Sequence, residues 1–209
     1  MKIKVYNLVI LDASGSMYVI REQAINGINE TIQSIKLAQR ENPEQEHYFS
    51  FVSFNNRMRT VADCQPIEEV VEISEDTYRP EAMTALYDAM GLSLLALESK
   101  ISADDRVLVT IITDGMENAS QEFTGTAVKT LVERLKSKGW VFAYIGANQD
   151  VEAVAAKIAI KNTMSFEATE VGTCYMMKNL GAQREKFYKR MSCDAPMDAV
   201  DENENFFKK

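Results

Sequence analysis

The chain of 209 residues has one histidine, three cysteines and fewer basic than acidic side chains. Each scarcity removes a class of function. A single histidine, His47, excludes a multi-histidine metal site. Any Ser/His/Asp triad would have to be built on it, and no serine lies in a GxSxG elbow, so that chemistry is discarded. His47 opens the apolar run Tyr48-Phe49-Ser50-Phe51-Val52 and reads as the start of a strand. Cys64, Cys174 and Cys193 are odd in number and scattered, with no CxxC pair. They make neither a disulfide framework nor a zinc site, and read as reduced thiols in a cytosolic protein. Lys and Arg total 23 against 31 Asp and Glu, a formal net charge of −8. Without a basic face to neutralise phosphates, nucleic acid and anionic membranes are poor partners. No apolar run can span a bilayer; the first, residues 5–11, stops at Asp12. It starts almost at the initiator methionine, which leaves no room for a leader, so a cytoplasmic location is expected.

What is present is the composition of a globular protein, 46% hydrophobic and 26% charged, long enough for one large domain with a substantial core. Short Val/Ile/Leu runs at residues 5–11, 106–113 and 140–146 read as buried strands. Residues 48–54 form another strand, and the turn at Asn55-Asn56 sends residues 58–64 back antiparallel as an edge hairpin. Helices are expected over residues 18–39, 84–101, 126–138, 151–160 and 172–191, with a short strand at 162–166. Gly139 reads as a helix cap. This alternation predicts an α/β, doubly wound, Rossmann-like three-layer sandwich: a mostly parallel central sheet with one antiparallel edge strand. Residues 1–191 form the domain, and 192–209 an acidic, frayed tail.

Right-handed crossovers bring the ends of the first strand and of strand 106–113 to the same edge of the sheet. If those strands are neighbours, the crevice between them is the topological switch point, where such folds place ligands. Three segments then converge there: Asp12-x-Ser14-x-Ser16, Thr84 and Asp114-Gly115. Two carboxylates and three hydroxyls, with no Lys or Arg in the motifs, suit a hard divalent cation such as Mg²⁺. Singly, Ser14, Ser16 and Thr84 are equally well read as helix caps and Asp114-Gly115 as a turn. Asp12 is harder to dismiss, because it ends a buried strand, where an unpaired carboxylate is costly.

Asp12-Ala-Ser14-Gly-Ser16-Met17, then Met-Thr84-Ala-Leu-Tyr-Asp-Ala, then Ile-Thr-Asp114-Gly-Met-Glu-Asn118, resembles the metal-ion-dependent adhesion site of von Willebrand factor type A domains. The resemblance covers roughly residues 5–191. One departure is Met83, where the family usually has glycine before the threonine. The resemblance implies that Ser14, Ser16 and Thr84 hold Mg²⁺ or Mn²⁺, with Asp12 and Asp114 acting directly or through water. It also implies that an Asp or Glu from a protein partner completes the metal shell. Met17, Tyr18, Met116, Glu117, Asn118 and Asn148 would form the partner-binding rim. Family analogy further suggests a stand-alone bacterial adaptor, beside a MoxR-type ATPase or a tellurite-resistance or other stress system. It also suggests that the last helix slides when the site engages a ligand.

Two other classes compete with a non-enzymatic binding module. A Mg²⁺-dependent phosphatase or phospho-receiver needs a second acid beside the first strand and a lysine at a strand end. Here Ser14 stands where the second acid would be, and Asp104-Asp105 precedes its strand. No Walker loop or GxGxxG is present for nucleotides. The remaining alternative is a scaffold with a non-functional metal site. In the tail, Phe206-Phe207 could instead anchor a partner.

Overall fold

The first strand, β1 (Ile3–Asp12), shows why the sheet lies at the centre. Val5, Val9 and Leu11 enter the core on one side, and Tyr6, Leu8 and Ile10 enter a second core on the other. Period-two alternation puts successive side chains on opposite faces, so a continuous apolar run is covered on both. The computed structural model describes residues 2–147, 149–191 and 199–208.

After β1, a 3₁₀ turn (Gly15–Ile20) leads into α1 (Arg21–Glu41). The strands β2 (Gln45–Phe54) and β3 (Met58–Pro66) form the hairpin. Then follow α2 (Leu86–Glu98), β4 (Arg106–Thr113), α3 (Gly125–Ser137) and β5 (Val141–Gly146). The chain continues through α4 (Val151–Lys157), β6 (Thr163–Ser165), α5 (Glu170–Met191) and α6 (Ala199–Asn205). The sheet order is β3-β2-β1-β4-β5-β6. Only β3 runs antiparallel. The three-layer α/β expectation and its antiparallel edge are both met. Helices α1 and α5 cover one face, and α2, α3 and α4 the other.

β1 and β4 are parallel neighbours, Leu11 lying opposite Ile112. Their ends, Asp12 and Asp114, therefore meet at one edge of the sheet. β3 leaves the chain at the other edge, and residues 67–85 climb back before α2 begins. Gly139, at φ +88° just past α3, fills the capping position expected of it. That backbone region favours glycine, which has no Cβ to clash there.

Two expectations change. Thr84 does not start its helix: α2 begins at Leu86, and neither Thr84 nor the cap residue Ala85 makes a side-chain cap bond. The C-terminal segment is not frayed over residues 199–208. α6 lies against β5 because β6 is only three residues long and pairs with Tyr144–Gly146, leaving the start of β5 uncovered. Asn203 fills that gap: its Oδ1 accepts from Phe142 N at 3.1 Å, and its Nδ2 donates to Trp140 O at 2.8 Å. Phe206 is fully buried beside Phe187, and Glu202 pairs with Arg190 at 2.6 Å. Phe206 is thus a core residue and cannot anchor a partner. Asp194, Asp198 and Cys193 lie outside the described residues, among which Cys64 and Cys174 are free thiols. Among the same residues, no helix is long and apolar enough to cross a membrane.

Candidate metal centre

The loop after β1 turns sharply because the Asp12 carboxylate holds it. Asp12 Oδ1 accepts from Ser14 N at 2.7 Å, and Asp12 Oδ2 accepts from the Thr113 hydroxyl at 2.5 Å. The Asp12 carbonyl in turn accepts from Tyr78 OH at 2.6 Å. Ser14 occupies the cap position of the 3₁₀ turn, yet its side chain makes no cap bond. Its hydroxyl lies 3.1 Å from Ser16 Oγ instead, and Ser16 Oγ donates to Asp114 Oδ1 at 2.6 Å. Ser16 gives its one proton to Asp114, and the Ser14 hydroxyl also bonds the Asp12 carboxylate, so hydroxyls and carboxylates form one cluster. The capping reading of these serines therefore fails on geometry.

Thr84 arrives on a separate loop. Ala82, at φ +62°, bends that loop, and its carbonyl accepts from Gly15 N at 3.1 Å. Thr84 N donates to Asn118 Oδ1 at 2.9 Å, and Asn118 N donates to Thr84 O at 3.0 Å. The Thr84 hydroxyl has no hydrogen-bond partner among the described residues. A methyl group built on Gly115 would sit 2.9 Å from Thr84 Oγ1, 3.5 Å from Asp12 Oδ2 and 3.7 Å from Ser14 Oγ. The space over Gly115 is thus a cradle walled by oxygens from two other segments, the loop after β1 and the Thr84 loop. It stays open because residue 115 has no side chain.

Asp12, Ser14, Thr84 and Asp114 are all buried, while Ser16 is exposed. No Lys, Arg or His pairs with either carboxylate among the described residues. Burial pushes the Asp12 carboxyl up to about 6, against the downward pull of the bonds from Thr113 and Ser14. Burial likewise raises Asp114, and the Ser16 bond lowers it. Two buried carboxylates without a counter-cation are expensive, and a divalent ion would neutralise both. The donor set, all oxygen, fits a hard cation such as Mg²⁺. No three His, Cys, Asp or Glu side chains group as metal ligands anywhere among the described residues.

The rim is smaller than expected. Tyr18 and Met116 are 63% and 65% exposed beside the site. Met17 is not on the rim: the 3₁₀ turn points it inward, and it is 1% exposed. Glu117 is spent on the loop itself, accepting from Tyr87 N, Ala119 N, Ser120 N and Ser120 Oγ. Asn118 is exposed as well and holds the Thr84 loop, and Asn148 lies outside the described residues. Sequence reasoning missed Thr113 and Tyr78, which fix the Asp12 carboxylate and carbonyl. Thr113 could have been noticed beside Asp114; Tyr78 sits in an irregular segment that carries no signal.

The von Willebrand factor type A domain profile matches residues 8–182. The chain belongs to that family. Its members are commonly metal-dependent protein-interaction modules, often with a divalent ion at this position. Solved structures agree on the fold. Proximal thread matrix protein 1 from the mussel byssus superposes with a TM-score of 0.62 at 15% identity, covering 86% of this chain and 46% of that one. A von Willebrand factor type A protein from Catenulispora acidiphila gives 0.62 at 12% identity, covering 88% and 43%. The SpRpn10 VWA domain gives 0.56 at 11% identity, covering 83% and 93%. The chain thus spans less than half the length of the first two. At these identities the likeness is one of fold. Comparison of the sequence with curated proteins returns no match.

Proposed function

We propose that this VWA domain is a metal-dependent protein-binding module, not an enzyme. It captures an Asp or Glu of a partner protein through Mg²⁺ or Mn²⁺ held by Asp12, Ser14, Ser16, Thr84 and Asp114. The observation that carries this reading is the cradle over Gly115: two buried carboxylates without a counter-cation, facing hydroxyls that are not used as helix caps. A divalent ion there supplies the missing charge and an electrophilic position for a carboxylate. Two carboxylates roughly neutralise the ion, so an incoming acid meets little local repulsion.

The phosphatase and phospho-receiver readings gain no support. Ser14 stands where a second acid would be required, and Asp104 and Asp105 precede β4, at its opposite end from Asp114. Tyr18 and Met116 offer exposed apolar contact around the metal position. A cytoplasmic adaptor role, beside a MoxR-type ATPase or a stress-system component, is the family-level extension of this proposal.

Titration calorimetry and thermal melting with Mg²⁺, Mn²⁺ and EDTA test the reading. Metal should raise the melting temperature of the wild type by several degrees and leave Asp12→Ala unmoved. Equal melting with metal and with EDTA would dispose of the metal centre and favour a scaffold acting through other surfaces. A partner captured from native cells in Mg²⁺, and lost both in EDTA and with Asp12→Ala, would identify the function.

A further inference from the structure

We infer that the partner segment reaching the metal carries a second acidic side chain, which seats in an arginine-lined cleft beside the site. This rests on the reading of the centre as a carboxylate-capturing one. The cleft, roughly 530 Å³, is lined by Ala13, Asn55, Arg57, Arg59, Arg79 and Ala82 among others. It shares its walls with the metal cradle. Ala13 lies between Asp12 and Ser14, and its carbonyl accepts from Glu81 N at 2.8 Å. Ala82 supplies the carbonyl that accepts from Gly15 N at 3.1 Å. A segment leaving the metal over the loop of residues 12–16 on the Ala13 side would reach the cleft.

The charges there are incompletely balanced. The Arg57 guanidinium has neither a hydrogen bond nor an ion pair among the described residues. Arg59 donates only to backbone carbonyls, Asp76 O at 3.1 Å and Thr77 O at 3.3 Å. Arg79 alone meets an acid, Asp76 Oδ1 at 2.7 Å. Glu81 is the one carboxylate lining the cleft, set against three guanidinium groups. In a chain of net charge −8 this is a local excess of positive charge, placed beside the one position built for a carboxylate. Guanidinium forks match carboxylate geometry with two parallel hydrogen bonds. The acidic remainder of the surface repels an acidic segment, so the cleft and the metal together steer it to one place. The same net charge disfavours a polynucleotide as occupant.

The test uses the full chain in Mg²⁺ and fluorescein-labelled Gly/Ser peptides, read by fluorescence anisotropy. One peptide carries a single Asp. The others carry two, separated by one to five residues, which covers up to roughly 20 Å of extended chain. At the best spacing, the two-acid peptide should bind at least about tenfold more tightly than the one-acid peptide, or about 1.4 kcal/mol. The Arg57→Gln/Arg59→Gln variant should lose that advantage and keep the one-acid affinity. Arg57→Glu, at a side chain with no intramolecular partner, should lose it without any change in melting temperature. An advantage that survives these substitutions overturns the inference. So does the lack of an advantage at every spacing, or tighter binding of a thymidine oligonucleotide. If the one-acid peptide binds in Mg²⁺ and not in EDTA while the second acid adds nothing, only this inference falls. If calorimetry shows no metal binding, the underlying reading falls with it.

Discussion

Ser16 Oγ donates to Asp114 Oδ1 across 2.6 Å, although 98 positions separate them in the chain. The contact exists because β1 and β4 are adjacent parallel strands whose ends coincide. It orients one carboxylate and, through Ser16, the Ser14 hydroxyl, so three oxygens are placed before any ligand arrives. Such preorganisation lowers the cost of ordering the site on binding.

Gly115→Ala should close the cradle. The added methyl would lie 2.9 Å from Thr84 Oγ1, where the ion is expected to sit. Mg²⁺ affinity should fall by at least about tenfold by titration calorimetry, roughly 1.4 kcal/mol. The metal-free melting temperature should stay within a few degrees of wild type. Unchanged affinity would place the ion elsewhere.

Thr113→Val tests the hidden support of Asp12. The substitution keeps the approximate shape and removes both the proton donated to Asp12 Oδ2 and the acceptor of Gly115 N. A buried acceptor that loses its donor costs about 1–3 kcal/mol, measurable as a lower urea midpoint without metal. Metal affinity should weaken as well, because one carboxylate oxygen is freed to rotate. A variant as stable as wild type would show that Asp12 does not depend on this bond.

His47 gives the domain a predictable pH dependence. It is fully buried and neutral, with its ring near Gln45 Oε1 at 2.9 Å, and burial lowers its pKa from 6.5 to about 4. Between those values the unfolded chain binds a proton that the native state refuses. The His47 contribution is therefore fully present above about pH 6.5 and is lost as the pH falls to about 4, by roughly 3 kcal/mol, while the raised Asp12 carboxyl acts in the opposite sense and is cancelled by comparing variants. Urea denaturation of wild type and His47→Gln in excess Mg²⁺ should differ in slope only over that window. Parallel slopes would contradict a buried neutral imidazole.

Arg184 on α5 is buried, donating to Thr31 Oγ1 at 3.1 Å and Thr110 Oγ1 at 3.3 Å, with its Nε unpartnered. No carboxylate pairs with it among the described residues. Arg184→Met removes a buried charge and keeps most of the volume, so the urea midpoint should rise, by about 1 kcal/mol in stability. A fall of that size would show instead that the guanidinium fastens α5 to the sheet.

Phe206→Ala distinguishes a core residue from a recruitment motif. Its ring packs on Phe187 at 5.8 Å between centroids and is fully buried. The substitution should cost about 3–5 kcal/mol. Hydrogen exchange at the amide of Phe142, which the neighbouring Asn203 protects, should accelerate. A stable variant that loses only partner capture would restore the motif reading.

Much of the fold was legible in local pattern. The Val/Ile/Leu runs of β1, β4 and β5 are too short for helices and lack the alternation of half-exposed strands, so they had to be central. The five candidate oxygen donors could be named because each stands at the end of a strand or on a loop whose position follows from right-handed crossovers. The errors share another origin. Met17 and Glu117 lie close in the chain to the candidate oxygen donors, but a tight turn buries one and a set of loop amides engages the other. In the tail, an acidic composition hides Asn203 and Phe206, whose value depends on a strand edge left open by the shortness of β6.

The sequence by itself determined the layers, the strand directions and the identity of the oxygens at the switch point. Those follow from the period of apolar residues and from chain handedness, which are local properties. Tertiary structure decided which of the neighbouring side chains support the site and which face solvent. It brought Thr113 and Tyr78 to Asp12, left the space over Gly115 open, and placed three arginines against the loop that carries Ser14. Such choices depend on packing between segments tens of residues apart, where one turn reverses the direction of a side chain.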